Sequence, residues 1–159
     1  MIRKFAFALL AASGFVAGGI VAVPGSAAAA SEADCAAQWT QADTNHDGVI
    51  AGAEADRYLA YIRIRAQVTP PADGRITQDS FMQSCQGDTF IANAPESGAP
   101  LKGENSFTQT QARDRVIATG LTQVTTLAKD PDGIWRGTAK KGDVGVKVAV
   151  DFKGNVVVE

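Results

Sequence analysis

The pattern of apolar and polar positions changes texture three times along the chain. Behind Arg3 and Lys4, an apolar run of 19 residues extends from Phe5 to Val23, diluted by Ala, Gly and Ser and closed by Pro24. Further on, apolar side chains recur every three to four residues. Cys35, Trp39 and Ala42 form one such stripe, and Ala55, Tyr58, Leu59 and Ile62 form another, while Asp56, Arg57 and Arg63 fall away from it. That is the period of helices with one apolar face, the second expected over about 53–66. A further helix is expected over Gln78 to Gln86. The last third mixes both periods. Thr108-x-x-Gln111 is a capping box that opens a helix striped with Ala112, Val116 and Ile117, with Phe107 placed to staple against Ala112 and Gly120 to end it. Strict alternation follows: Val144, Val146, Val148 and Val150 point one way, and Gly145, Lys147, Ala149 and Asp151 the other.

These elements predict an α+β protein. Residues 1–30 read as a leader and 31–90 as a helical unit. Residues 91–105, rich in Pro, Gly, Ser, Asn and Ala, read as a linker, and 106–159 as one helix on an antiparallel meander. The expected strands are Val124–Lys129, Ile134–Ala139, Val144–Val150 and Val156–Val158. They are separated by the turns Asp130-Pro131-Asp132-Gly133, Lys140-Lys141-Gly142-Asp143 and Lys153-Gly154-Asn155.

The candidate chemistry lies between the first two helices. Asp43 to Glu54 reads DTNHDGVIAGAE, and it satisfies the twelve-residue pattern D-x-[DN]-x-[DN]-G-x5-E at Asp43, Asn45, Asp47, Gly48 and Glu54. Calcium takes six to eight hard oxygen ligands at about 2.3 to 2.6 Å. Asp43, Asn45 and Asp47 offer side-chain oxygens, Val49 its backbone carbonyl, and Glu54 both carboxylate oxygens. Ala51 has no ligand, which leaves its place to water, and Gly48 permits the sharp turn. With helices on both sides, the run resembles an EF-hand. The resemblance implies a bound Ca2+ ion and a short strand at Val49 and Ile50 seeking a partner. The plainer alternative is a solvated turn that binds nothing.

A partner is visible at Asp73 to Phe81, DGRITQDSF, where Ile76 corresponds to Ile50. Aligned on its Asp-Gly, that second loop has Thr69, Pro71 and Ser80 at the positions that need oxygen ligands. It is expected to donate a strand and a helix, and no strong metal site.

Arg3, Lys4, the apolar run and the small residues ending in Ala28 and Ala30 fit a secretory signal peptide cleaved before Ser31. Its length approaches the roughly 20 residues of a bilayer span, but Pro-Gly and the small residues favour cleavage over anchoring. The expected location is therefore periplasmic or secreted, with no stable membrane span after cleavage. Without Arg3 and Lys4, 13 basic residues face 17 acidic ones, a balance that argues against nucleic acid as a partner. In an oxidising compartment the two cysteines, Cys35 and Cys85, are expected to pair. A disulfide would tie together a unit too small to bury much core.

The C-terminal stretches SFTQTQARDRVIATGL, DGIWRGTAKKG and VKVAVDFKGNVVV resemble the small PepSY-like domains of exported bacterial proteins. That resemblance implies protein binding or restraint of a peptidase, and it supplies the alternative function: a protein partner held by this unit, with calcium only structural. Trp135 could be a binding hot spot, but it shares a strand face with Gly137 and Ala139, which favours packing. An enzyme is not expected. His46 is the only histidine, at the fourth loop position, so no His-based metal or catalytic cluster can form. Met82 is the only methionine beyond the leader, so the Met-rich groove of intracellular calcium sensors is missing as well.

Overall fold

The computed structural model describes residues 29–65 and 69–159. The signal-peptide reading falls almost wholly outside that range. The fold is mixed α+β, with four helices and antiparallel sheets among the described residues.

Helix α1 (Glu32–Ala42) opens on a capping box: Asp34 N–H donates to the Ser31 hydroxyl, while the Ser31 N–H donates to the Asp34 carboxylate. Its buried positions are Cys35, Trp39 and Ala42, the stripe of the sequence. Strand β1 (Val49–Ile50) and a single 3-10 turn (Gly52–Glu54) lead into α2 (Asp56–Ile64), which is shorter at its start than the expected helix because the 3-10 turn occupies its first residues. Strand β2 (Ile76–Thr77) and α3 (Gln78–Gln86) follow, and the Thr77 hydroxyl accepts the Ser80 N–H as N-cap. β1 and β2 pair antiparallel, Ile50 opposite Ile76. The core beneath them is aromatic. Phe81, fully buried, has the rings of Trp39, Tyr58 and Phe90 at 5.4, 5.0 and 5.0 Å between centroids. Cys35 and Cys85 form a disulfide with Cα atoms 5.8 Å apart, joining α1 to α3.

Helix α4 (Gln109–Ala118) carries the capping box of Thr108 and Gln111. It packs through Ala112 and Val116 on a four-stranded meander: β3 (Ala128–Lys129), β4 (Trp135–Lys141), β5 (Val144–Val150) and β6 (Val156–Val158). The facing side of the sheet supplies Ala139, Val148 and Val150, joined by Leu127. The alternation of β5 runs past this core, since Val144 at the hairpin tip is 65% exposed. Strand β3 is shorter than expected. Gln123 adopts a left-handed φ of 48°, and the stretch from 122 meets β4 at a bridge, Thr122 to Lys140, and through Thr125, whose N–H donates to Thr138 O and whose hydroxyl accepts the Thr138 N–H. Trp135 packs against the core, its indole N–H donating to Phe107 O, and Phe107 stacks under the Arg115 guanidinium, 3.7 Å from its centroid.

Residues 91–105 contain no helix or strand, yet they are docked on the sheet unit. Glu96 N–H donates to Asn155 Oδ1, Leu101 N–H to Asp151 Oδ2 and Gly103 N–H to Asp132 O. The two units also pack directly. α2 presents a second apolar face, Ala60 and Tyr61, to Ile117 and Ala118 of α4. Beside it the Arg63 guanidinium makes two hydrogen bonds, 2.9 and 2.8 Å, to the buried Asp114 carboxylate. The sequence reading missed this contact because it assigned α2 one apolar stripe. The pair Tyr61 and Ile64, three residues apart beside Ala60, is the signal that was available.

Candidate metal centre

Asp43 is at once the C-cap of the first helix and the first residue of the loop. Its N–H closes α1 onto Trp39 O, which fixes where the chain leaves the helix. The side chain then turns into the loop it opens. Oδ1 accepts the Asp47 N–H at 3.2 Å and Oδ2 the Gly48 N–H at 3.0 Å, so the carboxylate is held by the backbone it encloses, and the residue is 4% exposed. Gly48 makes this possible with φ of 81°, a left-handed conformation that costs a glycine little and a residue with a β-carbon more. His46 is also left-handed, at 57°, and exposed.

The remaining candidates line the same short segment. Asn45 Oδ1 accepts the Asp47 N–H, Asn45 Nδ2 donates to Asp47 Oδ2, and Asp47 Oδ1 accepts the Val49 N–H, all within 3.2 Å. Val49 is committed to the β1–β2 ladder opposite Thr77. Glu54, eleven positions on from Asp43, reaches back to the start of the loop: Oε1 accepts the N–H groups of Thr44 and Asn45 at 3.0 and 3.2 Å, and the Thr44 hydroxyl as well. The tertiary reason is local. The β1–β2 pair and the 3-10 turn bend the chain so that the twelfth position returns to the second and third.

Asp43, Asp47 and Glu54 thus share one loop, and none of them takes part in an ion pair among the described residues. They do not converge on one point. Among the described residues no three Asp, Glu, His or Cys side chains form such a group. Their oxygens accept the loop's own N–H and O–H donors. The donor set is all oxygen, rich in carboxylate and free of nitrogen and sulfur ligands, which is the chemistry of a hard divalent cation.

The second loop differs at each of these points. Asp73 Oδ1 accepts the Arg75 N–H and Gly74 is left-handed at 67°, so the turn itself is kept. Thr69 and Pro71 supply no carboxylate, and the Ser80 hydroxyl accepts a hydrogen bond from Thr77 within the cap of α3. Compared with protein-family models, with curated proteins and with solved structures, the chain matches none significantly, so the loop's own residues and geometry carry its assignment.

Proposed function

We propose that the chain is an exported, periplasmic or secreted, non-enzymatic calcium-binding protein with one site of the EF-hand type. The ligands would be the side chains of Asp43, Asn45, Asp47 and Glu54 and the carbonyl of Val49, with water at Ala51. The observation that carries the reading is Asp43: almost fully buried, without a cationic partner among the described residues, and with its carboxylate oriented by two backbone N–H groups. Burying a carboxylate without a counter-charge is costly, and a divalent cation at the loop would supply that charge. The ion would take the lone pairs that Asp47 and Glu54 now offer to the loop's own donors, and so join the exit of α1 to the entry of α2.

Export is supported by the Cys35–Cys85 disulfide, a bond that persists in oxidising compartments. Among the described residues no helix is long and apolar enough to cross a membrane. The protein-binding alternative for the C-terminal unit stands second. Among the described residues the large exposed apolar side chains are Ile91, Val144 and Val158, short of the continuous patch that marks an interaction surface.

The test is a calorimetric calcium titration of the disulfide-bonded chain. One site is expected, with Kd of about 10⁻⁴ to 10⁻³ M as in extracellular modules. Glu54→Gln should abolish it and Asp73→Asn should leave it unchanged. A chain that stays heat-silent well above about 10⁻³ M calcium overturns the reading.

A further inference from the structure

Where α2 meets α4, the two units form a cleft of about 180 Å³. Among the described residues its lining includes three cations, Arg65 at the end of α2, Arg115 on α4 and Lys153 in the β5–β6 turn, and no Asp or Glu. Ile64, Ile91 and Val156 supply apolar wall. Tyr61 also lines it and separates it from a second depression bounded by Gln38, Gln41 and Arg57. The Tyr61 hydroxyl is buried and has no hydrogen-bond partner among the described residues. Leaving such a group unsatisfied costs free energy unless a ligand or water completes it.

The cations are placed before any ligand arrives. The Arg115 guanidinium lies flat on the Phe107 ring, and its Nη1 donates to Gln111 O. On its other side is Gly154, where a β-carbon would lie 2.7 Å from Arg115 Nε, so any larger residue would displace it. Burial pulls this guanidinium below its ordinary proton affinity, offset in part by the neighbouring Asp114 charge. Arg65 is anchored by a bond from Nη2 to Ile91 O at 3.3 Å. Lys153 holds Glu96 at 2.7 Å on the exposed side. Two planar guanidinium groups favour a two-oxygen acceptor. The volume is the share of roughly six waters, and below the roughly 300 Å³ where ordinary ligand pockets begin.

We propose that this cleft between the two units binds a small organic carboxylate, its oxygens received by Arg115, Arg65 and the Tyr61 hydroxyl and its short hydrocarbon portion by Ile64, Ile91 and Val156. The ligand is either a free short-chain acid or the carboxylate end of a peptide. The site is independent of the calcium loop, and its test is run in metal-stripped buffer so that neither result depends on the other.

The experiment is an amide NMR titration of the whole disulfide-bonded chain with butyrate, at constant ionic strength. Saturable shifts are expected at Tyr61, Arg115 and Gly154, and none with neutral butyramide. Arg65→Gln and Tyr61→Phe should each weaken butyrate about tenfold, the effect of one hydrogen bond to an ionised group. Both changes leave the α2–α4 apolar contact in place. An acetylated dipeptide with a free carboxylate, compared with its amide, identifies the source: tighter binding of the acid form than of butyrate indicates a peptide end, weaker binding a free acid. The proposal is overturned if butyrate and butyramide behave alike, if inorganic phosphate binds more tightly than butyrate, or if Tyr61→Phe and Arg65→Gln bind butyrate as the parent does.

Discussion

The two units of this protein solve the same problem, holding a small fold together, by different means. The C-terminal unit has a four-stranded sheet under one helix and a core of aliphatic side chains that the meander brings together. The N-terminal unit has two short strands, three short helices and an aromatic cluster centred on Phe81, with a covalent tie from Cys35 to Cys85. A sheet satisfies its own backbone and buries one face continuously, whereas short helices joined by polar loops need staples. The difference places the cross-link, and the proposed ion, in the unit with less regular structure. It also predicts that the two units respond separately to perturbation. The chain offers a reporter for each, because Trp39 lies in the first core and Trp135 packs against the second.

The largest test of that contrast is removal of the disulfide. Cys35→Ala with Cys85→Ala should cost the N-terminal unit about 4 kcal/mol by loop closure over 50 residues. In denaturant, Trp39 fluorescence should then change well before Trp135 fluorescence. Coincident transitions would mean that the docking of α2 on α4 makes one cooperative unit.

Calcium comes next. At one hundred times its Kd the ion should stabilise the folded state by about 2.7 kcal/mol, seen as a rise in the Trp39 transition and its absence in Glu54→Gln. An equal rise of both transitions would show that the ion's effect crosses the junction.

The junction itself is tested by Asp114→Asn. Asp114 is buried, but the Arg63 side chain is 38% exposed, so loss of the pair should cost about 1–2 kcal/mol, less than a fully buried pair. The two tryptophan transitions should move further apart.

The smallest effect is confined to acid and to the C-terminal unit. Asp151 is fully buried, and burial alone would raise its pKa. Hydrogen bonds from Leu101 N–H, the Asn155 side chain and backbone, and Lys153 N–H outweigh that and hold the carboxylate below its ordinary value. A depressed folded pKa means that the stabilisation is fully present above the unfolded value of about 3.9 and is lost as pH falls through the folded one. The Trp135 transition should therefore weaken only below about pH 4, and Asp151→Asn should flatten that part of its pH dependence. A pH response that survives the substitution would assign it to another carboxylate.

Much of this was legible in the residues. The span of α3 and the capping box at Thr108 follow from local side-chain chemistry, and the structure has them where the pattern puts them. The pairing of Ile50 with Ile76 was legible too, because two Asp-Gly turns each precede a β-branched residue at the same offset. The candidate oxygen donors of the loop were nameable as residues. Their arrangement was not: that Glu54 bonds the backbone at Thr44 and Asn45, and that Asp43 is buried, depends on how α1 and α2 leave the loop.

By itself the sequence determined where the helices and the longer strands lie, which two cysteines could meet, and which twelve residues hold hard oxygen donors at metal-binding spacing. These follow from period, capping and ligand type, all local in the chain. Only the tertiary structure decided the rest. It gave α2 a second buried face, laid residues 96–103 along the sheet unit, buried Asp114 against Arg63, and gathered three cations around one cleft beside the buried Tyr61. Each of those depends on contacts between residues some fifty positions apart, and neither period nor spacing encodes which of several exposed-looking positions another element will cover.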